Sequence, residues 1–207
     1  MTAAEIITKF ELYMDDTTEL SSTEELALLN KIYQRVSAIY PWESLKTAYS
    51  GTTDGTANLA LPARFSQLTE NDQYSENGQY GAGPVIYVGT DYAPYKVVSW
   101  SDRRNYRDQS NVAFLDVAND NLVFAQAPGS GKAVEFDYIE TPADLTLSDT
   151  PWLPTRFQDV IYHGMCIDDF VIQQSEKALS YRNEHLANFN MYLSDMKSWN
   201  FKLLQMS

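Results

Sequence analysis

Few residues in this chain have types and spacings that suggest chemistry. His163 and Cys166 stand three apart on a helical pattern, with Asp168 and Asp169 just behind, which are the residue types that hold metal ions. A closed zinc site needs four ligands and a catalytic one at least three. Gly164, Met165 and Ile167 lie among them and no further ligands stand out, so a buried packing segment is the expected reading. His185 is the only other histidine, and neither histidine sits in a nucleophile motif. The carboxylate pairs Asp15-Asp16 and Asp168-Asp169 are side by side. Neighbours on a helix point about 100 degrees apart and cannot share a substrate. Solvated faces or contacts between subunits are their expected roles.

Gly129-Ser130-Gly131-Lys132 suggests a phosphate loop, yet Gln126 stands where that loop needs glycine and Ala133 where it needs Ser or Thr. A hairpin turn between two strands is expected instead. Arg103, Arg104 and Arg107, interleaved with Tyr106, form the basic cluster, for which ion pairing to acidic neighbours outranks nucleic-acid contact. No catalytic, metal-binding or cofactor-binding residue is assigned. The expectation is a protein that is not an enzyme and uses no cofactor.

The elements that must position these residues begin with residues 153–199. Pro154 suits a helix start, and Phe157, Val160, Ile161, Gly164, Ile167, Val171 and Ile172 recur at helical spacing behind it. A helix so apolar needs cover on several sides, from its own chain or a neighbouring subunit. Leu179, Leu186, Phe189, Leu193 and Met196 mark a second helix, with a break near Gln174 and a cap from Ser175 and Glu176. Upstream, Ile6, Ile7, Phe10 and Tyr13 predict a short helix, and Ser22 with Glu25 a capping box for another that Pro41 closes.

From Ser44 the period becomes alternating, and Asp54-Gly55 predicts a hairpin joining 45–52 to 56–61. Leu61-Pro62-Ala63-Arg64-Phe65 should start a helical turn, as should its echo at Leu153-Pro154-Thr155-Arg156-Phe157. Residues 69–83 read as an exposed loop. Strands are expected at 85–88, 95–100, 111–117, 121–126 and 132–139, the last three as a meander, with 101–110 looped. The expected fold class is α+β: a helical bundle from N-terminal and C-terminal helices with an inserted small antiparallel β subdomain. Residues 1–207 make one domain, in which residues 1–43 and 151–207 are helical and residues 44–150 supply the strands.

Twenty-eight acids against fifteen bases give a formal charge of −13, which argues against a DNA-binding surface. An acidic wall can still surround DNA and let it slide by repulsion. The single cysteine, Cys166, offers no disulfide within the chain and suits a reducing compartment. No run approaches the roughly 18–20 apolar residues of a membrane span, and Met1 to Glu5 lacks the character of a signal peptide. A soluble protein made in the cytosol, without membrane contact, is expected. Fourteen tyrosines and four tryptophans suit protein interfaces.

The order of these segments resembles the tailed-bacteriophage head-to-tail adaptors, especially the short-tailed phage adaptors called tail tubular protein A or neck proteins. LPARF, FDYIETPADL and PWLPTRFQDVIYHG carry the resemblance. It implies a structural virion protein of the neck and tail region, made in the host cytoplasm. By the same resemblance it forms a homo-oligomeric ring, typically of twelve copies. That ring would join the portal protein to the tail nozzle protein and enclose a channel through which DNA passes without sequence-specific binding. Under it, Phe157, Ile161, Gly164 and Val171 pack the oligomer helix, and the apolar tail with Trp199, Phe201, Leu203 and Leu204 docks to the portal. The competing reading is a monomeric module whose Tyr74, Tyr80, Tyr87 and Tyr92 hold a glycan or peptide.

Overall fold

Ser21, one residue before the serine expected, caps the second helix. Its Oγ accepts the Glu24 N–H at 3.4 Å while the Glu24 carboxylate accepts the Ser21 N–H at 2.8 Å. The reciprocal pair satisfies two N–H groups that would otherwise lack partners. Glu25, freed from capping, is buried, and burial followed by the charge of Glu11 raises its pKa. The computed structural model describes residues 1–14, 20–69, 84–90, 93–173 and 176–205. The expected break near Gln174, the Ser175 cap, the Asp15-Asp16 pair and most of the loop at 69–83 fall outside them.

The chain divides into two compact units, Met1–Leu45 with Thr141–Ser207, and Lys46–Glu140. The first holds α1 (Ala3–Met14), α2 (Ser22–Ala38), α3 (Asp159–Gln173) and α4 (Glu176–Leu204). Ile6, Leu29, Ile32, Val36, Ile161, Met165 and Met196 fill its interior without measurable exposure. Polar side chains tie its loops to its helices. Asn30 donates to the Leu145 carbonyl at 3.0 Å and accepts the Leu145 N–H at 2.8 Å. The Trp42 indole donates to the Val36 carbonyl, one of those left open at the end of α2.

The second unit has eight strands: β1 (Lys46–Asp54), β2 (Asn58–Ala60), β3 (Phe65–Leu68), β4 (Val85–Val88), β5 (Ala93–Ser99), β6 (Val112–Asp116), β7 (Asn121–Phe124) and β8 (Ser130–Glu140). They form one sheet in the order β1-β8-β4-β5-β6-β7-β2, with β3 also on β8. This corrects the expectation of a helical bundle with a small antiparallel insert. The sheet is large, and β5 pairs with β6 in parallel. Residues 101–110, expected as a loop, lie within the crossover such a pair requires, which runs from 100 to 111 and opens with a 3-10 helix at Trp100–Asn105.

The Asp54-Gly55 hairpin is also absent, since β1 pairs with β8 and β2 with β7. Only residues 55–57 link β1 to β2, yet these strands end the sheet path on opposite sides. Four residue steps span at most about 14 Å. The sheet must therefore curl until its end strands nearly meet, which makes it an almost closed barrel. The expected meander holds for β6 and β7, which pair antiparallel, and ends there, because β7 and β8 are consecutive but unpaired. Leu59, Ile86, Leu122, Phe124, Val134 and Phe136 belong to the apolar core this curvature encloses.

The two LPxRF segments share a turn and then diverge. Phe65 N–H donates to the Pro62 carbonyl at 2.9 Å and Phe157 N–H to the Pro154 carbonyl at 2.8 Å. The first runs into β3, not a helix, and the second into a 3-10 turn ahead of α3.

Candidate functional site

Helix α3 receives its cover from its own chain: α1, α2 and α4 all pack on it. Phe157 and Ile161 are buried, and a Cβ added at Gly164 would run into Cγ2 of Ile32 on α2 and lie 3.2 Å from Cε2 of Phe189 on α4. Glycine at 164 lets three helices converge. Val171 falls on α3 with its side chain outside the described residues.

Of the two roles expected for the Asp168-Asp169 pair, a solvated face or a contact between subunits, the solvated face does not hold for Asp169, which is buried. Asp168 takes Lys31 Nζ at 2.8 Å and both Arg35 guanidinium nitrogens at 3.1 Å. Burial alone would raise its pKa, but hydrogen bonds and charge from Arg35 and Lys31 leave it lowered. Asp169 is buried, and Lys9 meets Asp159 at 2.7 Å.

His163 meets His185 of α4, with their Nδ1 atoms 2.9 Å apart. The rings of Tyr162 and Tyr192 lie tilted against His163, with centroids 4.1 Å and 5.7 Å away, and Tyr13 meets the His185 ring edge-on at 5.3 Å. Burial, then the His185 neighbour, lowers the pKa of His163 to about 4, and burial also lowers that of His185. Burial pushes the Cys166 thiol up to about 12, the opposite of what a nucleophile or metal ligand needs. Among the described residues, no group of three or more His, Cys, Asp or Glu is placed to hold a metal. Sequence reasoning weighed each histidine alone, because 22 residues separate the pair and only tertiary packing joins them.

The end of α4 is anchored and then open. Asn200 is fully buried, accepts the Glu43 N–H at 2.7 Å and donates to the Pro41 carbonyl at 3.5 Å. Trp199 is half-buried against Phe157 at 5.7 Å, with the Arg156 guanidinium over both rings. One residue on, Phe201 is 57% exposed, and Leu204, three residues later on the same helical face, is 46% exposed. Leu203 is half-buried. The predicted tail thus splits into an anchor, Trp199 with the unforeseen Asn200, and an outward apolar pair. Such an arrangement holds a hydrophobic contact at fixed geometry and offers no groups for bond making or breaking.

In the sheet unit, Arg103 stacks over Trp100 at 4.5 Å and donates to the Trp100 carbonyl, whereas Arg104 and Arg107 make no ion pair among the described residues. The expected salt bridging of this cluster is thus not seen among the described residues. Gly129 and Gly131, both at φ 75, carry the chain into β8 and not into a helix. Of the four tyrosines of the binding-module reading, Tyr74, Tyr80 and Tyr92 lie outside the described residues, and Tyr87 is half-buried in β4. No helix among the described residues is long and apolar enough to cross a membrane.

A protein-family model described as SU10 adaptor protein matches residues 1–201. No curated protein matches the chain.

Proposed function

The chain belongs to the SU10 adaptor protein family, and from that membership we propose that it assembles as a homo-oligomeric ring joining portal to tail. Membership implies a structural component of the tailed-phage neck, in contact with other virion proteins. On our reading the ring has twelve copies, seats on the portal above and the tail nozzle below, and encloses a section of the DNA conduit used in retention and ejection.

The observation that carries the portal contact is the open last turn of α4. Phe201 and Leu204 stand outward immediately after the buried Asn200 anchor, so their position is fixed before any partner arrives. An apolar pair presented this way loses little conformational entropy on docking. The formal charge of −13 suits a conduit whose wall repels DNA instead of gripping it. In this reading Phe157, Ile161, Gly164 and Val171 keep α3 rigid beneath the docking helix.

The test mixes the purified chain with portal rings and follows co-sedimentation and negative-stain images. Wild-type chain should decorate the portal, and Phe201→Ser with Leu204→Ser should not while keeping its native circular dichroism. Undiminished decoration by the double variant removes the α4 tail from the contact. A monomer that ignores portal and tail nozzle alike sinks the adaptor ring.

A further inference from the structure

His163 and His185 are the only histidines in the chain, and the helical unit buries both against each other. A contact of 2.9 Å between two Nδ1 atoms is a hydrogen bond that needs one proton between two nitrogens. One ring must donate an N–H and the other accept with its lone pair. The neutral pair meets this condition when one ring carries its proton on Nδ1 and the other on Nε2. A pair with one added proton meets it too, since the imidazolium donates to the remaining neutral ring. With two added protons both facing nitrogens are donors, the hydrogen bond between them is lost, and two like charges lie buried in contact.

From this geometry we propose that His163 and His185 form a proton-operated latch between α3 and α4, which holds with no or one added proton and releases on the second. It is independent of the proposed ring, because it concerns only contacts inside the helical unit. Each helix packed there contributes charged or titratable groups. Lys9 and Tyr13 come from α1, with Asp159, Tyr162, Cys166 and Asp169 from α3, and Glu184 and Tyr192 from α4. On α2, Lys31 and Arg35 are engaged by Asp168, and Glu25 is buried. Asp159 and Glu184 favour the charged rings and Lys9 opposes them, but burial outweighs all three.

Both folded pKa values therefore lie below that of a free imidazole, about 6.5. The unfolded chain binds these protons first, so the stabilisation is complete above about pH 6.5 and drains away as pH falls toward 4. Asp168, with a lowered pKa, titrates below that window, whereas Glu25, whose pKa burial raises, gains its proton more readily when folded and offsets part of the fall.

The experiment uses the full chain carrying Trp100→Phe, so that the remaining tryptophans, Trp42, Trp152 and Trp199, all report the helical unit. Nitrogen-15 imidazole spectra at pH 7.5 should show one Nδ1–H and one Nε2–H tautomer. On acidification the rings should titrate in two separated steps, the second coinciding with loss of native tryptophan fluorescence. The urea midpoint should fall between pH 6.5 and 4.5. His185→Asn places a non-titrating amide where Nδ1 lay and should flatten that fall. Two Nε2–H tautomers, or both rings titrating together near 6.5 with the fold intact, overturn the latch. Either spectral result decides the matter even if His185→Asn fails to fold.

Discussion

The two units of this chain are held together by different physics. Of the nine buried polar or charged side chains among the described residues, seven lie in the helical unit: Glu25, Ser37, Gln158, His163, Asp169, His185 and Asn200. The sheet unit contributes only Thr53 and Asp116. Its ion pairs, Lys46 with Asp137 and Arg64 with Glu140, are at least partly exposed, and such pairs add little. The sheet is thus secured by backbone ladders and apolar volume. The helical unit is secured by specific side chains whose partners lie far away in sequence. Its stability should respond to pH and to chemical identity, and the sheet's to size and register.

The largest test of this contrast is volume loss in the sheet. Leu122 is fully buried, and Leu122→Ala should cost about 2–5 kcal/mol by urea denaturation, with equal loss at pH 7.5 and pH 5. A loss that changed strongly with pH would break the comparison. Next comes crowding in the helical unit, where Gly164→Leu should cost about 3 kcal/mol, the upper end for overpacking. Its obstacle is Cγ2 of Ile32, on a β-branched side chain that is stiff at χ1. The matching change in the sheet, Gly51→Ala, meets the far end of the Tyr49 ring, which can swing away. It should stay within about 0.5 kcal/mol in the same measurement. Asn30→Ala removes both bonds to the Leu145 backbone and should cost about 1–2 kcal/mol, seen as a lower thermal midpoint. Phe201→Ser should move stability by no more than about 0.5 kcal/mol while weakening portal co-sedimentation, since its ring is exposed.

How legible each unit was follows the same division. Helical periods and strand runs come from neighbouring residues, so α1 to α4 and every strand segment but β3 could be read along the chain. Which strands pair could not. Asp54-Gly55 is a strong local hairpin signal, but β1 gains an eleven-residue partner in β8 that no local pattern announces. Sheet order is a property of long-range pairing, and the parallel β5–β6 contact hid inside what looked like a polar loop.

In the helical unit the apolar wheel of α3 correctly signalled cover on several sides but could not say whose helices supplied it. Gly164 sits where a side chain would meet Ile32 and Phe189, a contact made by helices far apart in sequence. The histidine pair and the Asn200 anchor were invisible, because each polar residue taken alone looks like a solvated one. Only a partner brought from 22 or 157 positions away makes burial tolerable.

The pairing of Lys46 with Ile139 has a further consequence. Strand β1 begins where β8 ends, so the chain enters and leaves the sheet at neighbouring ladder positions, roughly 5 Å apart. A segment whose ends meet is a cassette. Residues 46–140 therefore enter and leave through one narrow footprint, which is the geometry of a module that can be inserted or exchanged.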